Sequence, residues 1–119
     1  MKKLYHLKSC STCARVIKDL ELPEDVMLQD IKSKPITEQQ IDELAQRAGG
    51  YEALFSKRAK LYKEKGLKDQ QLSEVDFKTY LLEHYTFLSR PVLVYNDQIF
   101  VGNSSKTVAA AKAFIHADE

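Results

Sequence analysis

The chain contains two cysteines, and both lie in one short stretch, "LKSCSTCAR". Between Cys10 and Cys13 stand Ser11 and Thr12, two small polar residues that do not obstruct a turn. A cysteine pair at this spacing suits metal binding, reversible disulfide chemistry, nucleophilic attack or coincidence. A closed zinc site takes four ligands, and the chain offers no second cysteine pair, although His6 could contribute one ligand at an unfavourable spacing. We therefore expect no bound metal.

The elements around the pair decide which thiol would react. "KLYHL" has the composition of a strand, and Cys13, Val16, Ile17 and Leu20 recur at the spacing of one helix face. Cys10 is then the residue at which the helix starts. The open amides and the positive dipole end of a helix favour a thiolate there and would also hold an oxyanion near the sulfur.

Cys13 lies one turn further on, on the apolar face of the same helix. It should be less exposed than Cys10 and is suited to resolve an adduct formed there. Two other interpretations stay open. In the first interpretation, Cys13 is a small core residue, which leaves Cys10 as a lone reactive thiol. In the second, both cysteines are inert.

Bulk composition is that of a folded protein without a strong surface charge. The chain has 119 residues, 44% of them hydrophobic and 29% charged, and its net charge is +1. This balance gives no attraction towards nucleic acid or a membrane surface. The opening "MKKLYHLKSC" lacks the apolar core of a secretory signal, and no apolar run is long enough to span a bilayer. We expect a cytoplasmic protein, where thiols are kept reduced.

The remaining pattern is strand and helix in alternation, followed by a hairpin. "VMLQDI" indicates a second strand, parallel to the first, and a Thr-x-x-Gln capping box at Thr37 opens the next helix. Gly49 and Gly50 end that helix, and short helical pieces follow over "YEALFSKRAKLYKEKG". "LSEVDFKTYLLEHY" is another helix, which Ser73 would cap. "RPVLVYNDQIFVG" predicts a hairpin that turns at Asn96, and a last helix begins near Ser104. The predicted fold is a small mixed α/β sheet covered by helices.

Three stretches together resemble the arsenate reductase/Spx family. They are "YHLKSCSTCARVIKDL", "LFSKRAKLYKEKGL" and "HYTFLSRPVLVYNDQIFVG", in that order and spacing. The resemblance covers essentially the whole chain. It implies a single domain over residues 1–119 with a thioredoxin-like fold and a helical insertion at about residues 36–86.

The resemblance also implies roles for individual residues. Cys10 matches the cysteine that attacks arsenate in the reductases, and His6 matches a histidine that influences that cysteine. Arg90 matches the arginine that binds the oxyanion, and Pro91 matches a proline held cis beside the active site. Arg58 matches an arginine of the Spx-like pattern, although a merely solvated basic face is the alternative there. Ser11 and Thr12 belong to the turn that would bind substrate.

Two departures from the reductase pattern affect the expected function. The reductases have a further arginine just after the hairpin, where this chain has "FVGNSS". The second cysteine, in contrast, is typical of Spx-type members. We therefore expect a thiol-dependent oxidoreductase that acts on a small oxyanion or a disulfide, with Cys13 as resolving thiol and with external glutathione, glutaredoxin or thioredoxin as reductant.

The alternative function is regulatory. Spx-type members are redox sensors that dock on the C-terminal domain of the RNA polymerase α subunit, and the insertion from Gly49 to Lys65 would be the docking face. Direct nucleic-acid binding is not expected, because no basic stripe interleaved with aromatic residues is present.

Overall fold

The computed structural model describes residues 1–117, which divide into two compact units. The first unit comprises Met1–Lys34 together with the chain from Arg90 onward, and the second comprises Pro35–Ser89. The prediction of one domain with an insertion at about residues 36–86 stays a prediction. Each helix in the described part of the chain is too short or too polar to cross a membrane.

The elements of the first unit are β1 (Lys2–His6), α1 (Ser11–Leu20), β2 (Met27–Asp30), β3 (Val92–Tyr95), β4 (Gln98–Val101) and α5 (Ser105–Ile115). The four strands form a mixed sheet in the order β2-β1-β3-β4. The strands β1 and β2 are parallel, as predicted, and the other two pairs are antiparallel. The predicted mixed α/β fold class is confirmed.

Two helices, α1 and α5, supply the apolar side chains that cover one face of this sheet. The buried cluster consists of Leu4, Val16, Leu20, Val26, Leu93, Tyr95, Ala111 and Ile115. The helix α1 ends at Glu21, whose φ of 50° lies in the left-handed region. The carboxylate of Glu21 lies 3.1 Å from Lys112 Nζ on α5. Burial of these side chains fixes α1, and with it the residues at its N-terminus, against the sheet.

The second unit is helical, and its caps follow directly from the sequence. It contains α2 (Glu38–Ala48), α3 (Lys60–Glu64) and α4 (Glu74–Glu83), with short 3₁₀ turns between them. The predicted capping box of Thr37 and Gln40 is present, and Gly49 ends α2 at a φ of 93°. Ser73 caps α4 as predicted.

An aromatic cluster forms the centre of the second unit. The ring of Phe55 stacks on that of Phe87 at 5.2 Å and meets Phe77 edge-on at 4.9 Å. In the same unit, Lys78 Nζ on α4 lies 2.8 Å from Glu38 and 2.9 Å from Asp42, both on α2. These ion pairs join α2 to α4.

Candidate active site

Cys10 is the N-cap residue of α1, where the sequence places it. Its backbone is extended, at φ −89° and ψ 118°. The Cys10 N–H donates to the Leu7 carbonyl at 3.0 Å, and the Cys10 carbonyl accepts from the Ala14 N–H at 3.1 Å. A tight turn therefore joins β1 to the helix and fixes the position of the sulfur.

The local environment favours the thiolate of Cys10. Burial is the largest single effect and opposes ionisation, but four contributions together outweigh it, so the pKa of Cys10 is lowered. These are the N–H and the side chain of Cys13, the N–H of Thr12 and the charge of Arg90. The first amides of the helix have no partners within it, and those of Thr12 and Cys13 favour the ionised sulfur.

The surroundings of Cys13 disfavour its thiolate. It is 1% exposed on the buried face of α1, and both cysteines are free thiols. Burial is the main cause that raises the pKa of Cys13, and the nearby Cys10 raises it further. The backbone of Leu7 and the charge of Arg90 act in the other direction but do not reverse the shift. Of the two thiols, Cys10 is therefore the one that ionises at the lower pH.

A third part of the site comes from the chain just before β3. The Arg90–Pro91 peptide bond is cis, which confirms the prediction made for Pro91. Arg90 is half-buried, and its positive charge acts on both cysteines. The structure therefore brings together Cys10, Cys13, Thr12 and Arg90.

His6 lies at the end of β1 and is 9% exposed. Burial is the main cause that lowers its pKa; Asp30 opposes this effect and Lys8 adds to it. The imidazole is therefore neutral at physiological pH. The backbone carbonyl of His6 accepts a hydrogen bond from the Ile31 N–H at 2.9 Å. His6 therefore also helps to pair β1 with the chain just after β2.

The other predicted binding residues occupy different surroundings. Ser11 is exposed and Thr12 half-buried in the first turn of α1. Arg58 lies in the second unit, on the exposed segment just before α3. Within residues 1–117, no three His, Cys, Asp or Glu side chains are grouped so that they could hold a metal ion.

Two residues that the sequence did not single out hold the loops of this site. Asp30, at the end of β2, accepts a hydrogen bond from the Lys8 N–H at 3.0 Å. Asn103, after β4, donates from Nδ2 to the Arg90 carbonyl at 3.1 Å. The available signal for Asp30 was its place at the carboxyl end of a parallel strand, an edge where sites commonly form. For Asn103 the signal was a polar residue between the hairpin and a helix cap.

Comparison with known proteins identifies the relatives of the chain. The sequence model of the ArsC family matches residues 5–111. The arsenate reductase from Vibrio cholerae is 24% identical, with a TM-score of 0.76 over 92% of this chain and 96% of that chain. A possible arsenate reductase from Streptococcus mutans UA159 is 30% identical, with a TM-score of 0.67 over 83% of this chain and 87% of that one.

A third solved structure is that of a protein from Staphylococcus aureus COL. It is 26% identical, with a TM-score of 0.74 over 92% of this chain and 97% of that chain. No curated protein matches the sequence at a significant level. The likeness to the solved structures confirms the predicted thioredoxin-like fold.

Proposed function

Because this chain belongs to the ArsC family, we propose that it is a thiol-dependent oxidoreductase in which Cys10 attacks and Cys13 resolves. The observation that carries this proposal is the opposite bias of the two thiols: the pKa of Cys10 is lowered, whereas that of Cys13 is raised. Cys10 is thus the more readily ionised sulfur and is suited to attack, while Cys13 holds its proton more firmly.

With a disulfide as substrate, the steps need only these two thiols. The Cys10 thiolate forms a bond to one substrate sulfur, and the other substrate sulfur leaves as a thiolate. Cys13 then loses its proton to solvent and attacks the sulfur of Cys10, which releases the second substrate thiolate. Two electrons pass to the substrate, and a Cys10–Cys13 disulfide remains. An external dithiol such as thioredoxin, or glutathione with glutaredoxin, reduces that disulfide and completes the cycle.

Formation of the adduct at Cys10 itself prepares the second step. The charge of the Cys10 thiolate and its hydrogen bond to Cys13 both raise the pKa of Cys13 in the reduced protein. Both effects disappear once Cys10 is covalently bound, whereas Arg90 and the Leu7 backbone still favour the Cys13 thiolate. The resolving thiol thus becomes easier to ionise when it is needed.

With arsenate as substrate, the first residue is the same and the leaving group differs. The Cys10 thiolate sulfur bonds to arsenic, and an arsenate oxygen takes up protons from solvent and leaves as water. Attack of Cys13 on the Cys10 sulfur then leaves the electron pair on arsenic, which is reduced from As(V) to As(III). The amides at the start of α1 and the guanidinium of Arg90 supply donors for the oxyanion. The name of the Vibrio cholerae relative supports this substrate.

The test is turnover of arsenate and of a small disulfide, each with thioredoxin and with glutathione plus glutaredoxin. We expect Cys10→Ser to abolish reduction of both substrates, and Cys13→Ser to stop after one covalent adduct of Cys10 per chain. Asp19→Ala, on the exposed face of the same helix, is the matched control and should retain the activity. Undiminished turnover by Cys10→Ser would contradict the proposal, as would wild-type turnover by Cys13→Ser.

A second candidate, the Spx-like regulator, is favoured by exposed cations in the second unit. Three basic residues of the stretch from 57 to 68 form ion pairs with Glu52, Glu64 or Glu83; these are Lys57, Lys60 and Lys65. Arg58 and Lys63 of the same stretch are exposed and available to an acidic partner surface.

The test of this candidate is binding of the C-terminal domain of the RNA polymerase α subunit to the oxidised and the reduced protein. Redox-dependent binding that Arg58→Ala weakens would support the regulator. Absence of binding, together with turnover, would leave the oxidoreductase as the function.

A further inference from the structure

The loop after β4 holds the chain at Arg90 and Pro91 by two hydrogen bonds. The Gly102 N–H donates to the Pro91 carbonyl at 2.9 Å. One residue later, Asn103 Nδ2 donates to the Arg90 carbonyl at 3.1 Å. The first of these contacts is made by the backbone N–H of Gly102, whereas the second depends on the side chain of Asn103.

Asn103 is itself fixed from both sides. Gly102 precedes it at a φ of 92°, held by its bond to Pro91. Ser104 follows it and caps α5, where the Ser104 hydroxyl accepts from the Thr107 N–H at 3.1 Å. A short segment anchored at both ends presents its amide donor with little loss of conformational freedom on bonding, so the contact is preorganised.

From this geometry we propose that Asn103 is a positioning residue, which holds the Arg90 guanidinium beside the Cys10–Cys13 pair through its hydrogen bond to the Arg90 carbonyl. The proposal rests on the role given to Arg90 in the proposed function. The side chain of Arg90 extends from this part of the backbone. If the backbone of Arg90 is more mobile, the guanidinium spends more of its time in water, where its field at Cys10 is screened.

The position of the Arg90 guanidinium should affect how fast Cys10 reacts with charged reagents more than with neutral ones. A cation held near Cys10 attracts an anionic electrophile more than a neutral one, while both electrophiles react with the same thiolate. The ratio of the rates with iodoacetate and iodoacetamide therefore measures the field at Cys10. The fraction of ionised thiol cancels in this ratio. It needs neither turnover nor Cys13, so it is independent of the disulfide cycle.

The experiment compares this ratio in six forms of the full chain carrying Cys13→Ser, which leaves Cys10 as the reacting thiol. They are the otherwise unchanged protein, Arg90→Met, Asn103→Ala, Asn103→Gln, the double variant of Arg90→Met with Asn103→Ala, and Ser105→Ala. Arg90→Met should lower the ratio about two- to fivefold, the effect of one partly screened charge. Asn103→Ala should lower it about twofold, and Asn103→Gln, which keeps the amide donor, should restore part of the loss.

The double variant and the control decide between positioning and general loosening. We expect Asn103→Ala to have no further effect when Arg90 is already Met, because the asparagine acts through that arginine. Ser105→Ala changes an exposed residue at the start of α5, outside the two anchors of Asn103, and should leave the ratio unchanged. An equal loss in the Arg90→Met background, an equal loss with Ser105→Ala, or no loss with Asn103→Ala would overturn the proposal. So would an unchanged ratio in Arg90→Met. Disulfide turnover that fails while the ratio responds as expected would overturn only the proposed function.

Discussion

The carboxylate of Asp30 accepts a hydrogen bond from the backbone N–H of Lys8 at 3.0 Å, which ties the end of β2 to the turn before Cys10. The Ser33 hydroxyl donates to the other carboxylate oxygen at 2.9 Å. His6 and Asp30 lie opposite each other as the last pair of residues between the parallel strands β1 and β2. The hydrogen bond from Lys8 to Asp30 therefore lies just beyond the end of this pairing. The turn that places the reactive sulfur is therefore held from a neighbouring strand.

Asp30→Ala should destabilise the protein at neutral pH and lose most of that effect in acid. The hydrogen bond from the Lys8 N–H is the main cause that lowers the pKa of Asp30 below its ordinary 3.8. A lowered folded-state pKa means stabilisation that is full above the ordinary value and is lost as pH falls through the folded one. Urea unfolding of wild type and variant at pH 7 and between pH 4 and pH 2 measures the difference.

The matched control is Asp25→Ala, which removes an ion pair between Asp25 and Lys2 at 3.0 Å. This pair is exposed, so 1 M salt should screen its contribution. The contribution of Asp30 should persist in salt, because it comes from hydrogen bonds to backbone and hydroxyl groups. Equal salt sensitivity of the two variants would contradict the account of Asp30.

Gly50→Ala should destabilise the second unit for two separate reasons. The backbone of Gly50 has a φ of 145°, a conformation that residues with a side chain rarely adopt. A Cβ there would stand 2.6 Å from Glu74 Oε1. The Glu74 carboxylate accepts from the N–H groups of Tyr51 and Glu52 at 2.7 Å and 3.1 Å, so it cannot move away without losing them. Chemical denaturation should show a loss of about 2–4 kcal/mol.

Gly49→Ala separates the two reasons. Gly49 also has a positive φ, at 93°, but no atom lies within 4 Å of a Cβ built there. Its substitution should cost about 1–2 kcal/mol, the penalty of the backbone conformation alone. Gly50→Ala should destabilise the protein more than Gly49→Ala does, and this excess should shrink when Glu74 is replaced by alanine. A constant excess in that background would refute the steric explanation.

The sequence predicts the elements of this protein well, because the signals are local. The spacing of Cys13, Val16 and Leu20 places α1, and the strand pattern before it places Cys10 at the helix start. The Thr37 capping box and the turn at Asn96 are where they were predicted. In α4 the reciprocal contact of Asp76 with the Ser73 N–H was missed, because the prediction considered the Ser73 cap alone.

The contacts that hold the site were not predictable in the same way. Asp30 meets Lys8 because β2 lies beside β1, and Asn103 meets Arg90 because the hairpin returns to the start of β3. The first contact joins residues that are 22 positions apart in the chain, and the second joins residues that are 13 positions apart. No periodicity or turn rule reports such pairs. They appear only when strand order and register are known.

The most direct test of the central claim is a titration of thiol reactivity from pH 4 to 10 for wild type, Cys10→Ser and Cys13→Ser, followed by mass spectrometry after mild peroxide treatment. The account predicts a pKa for Cys10 below the ordinary value of about 8.5 and a higher pKa for Cys13. It also predicts a loss of two protons on oxidation in the wild type and in neither variant. An ordinary pKa for Cys10, with no internal disulfide formed, would contradict a cycle in which Cys10 attacks and Cys13 resolves.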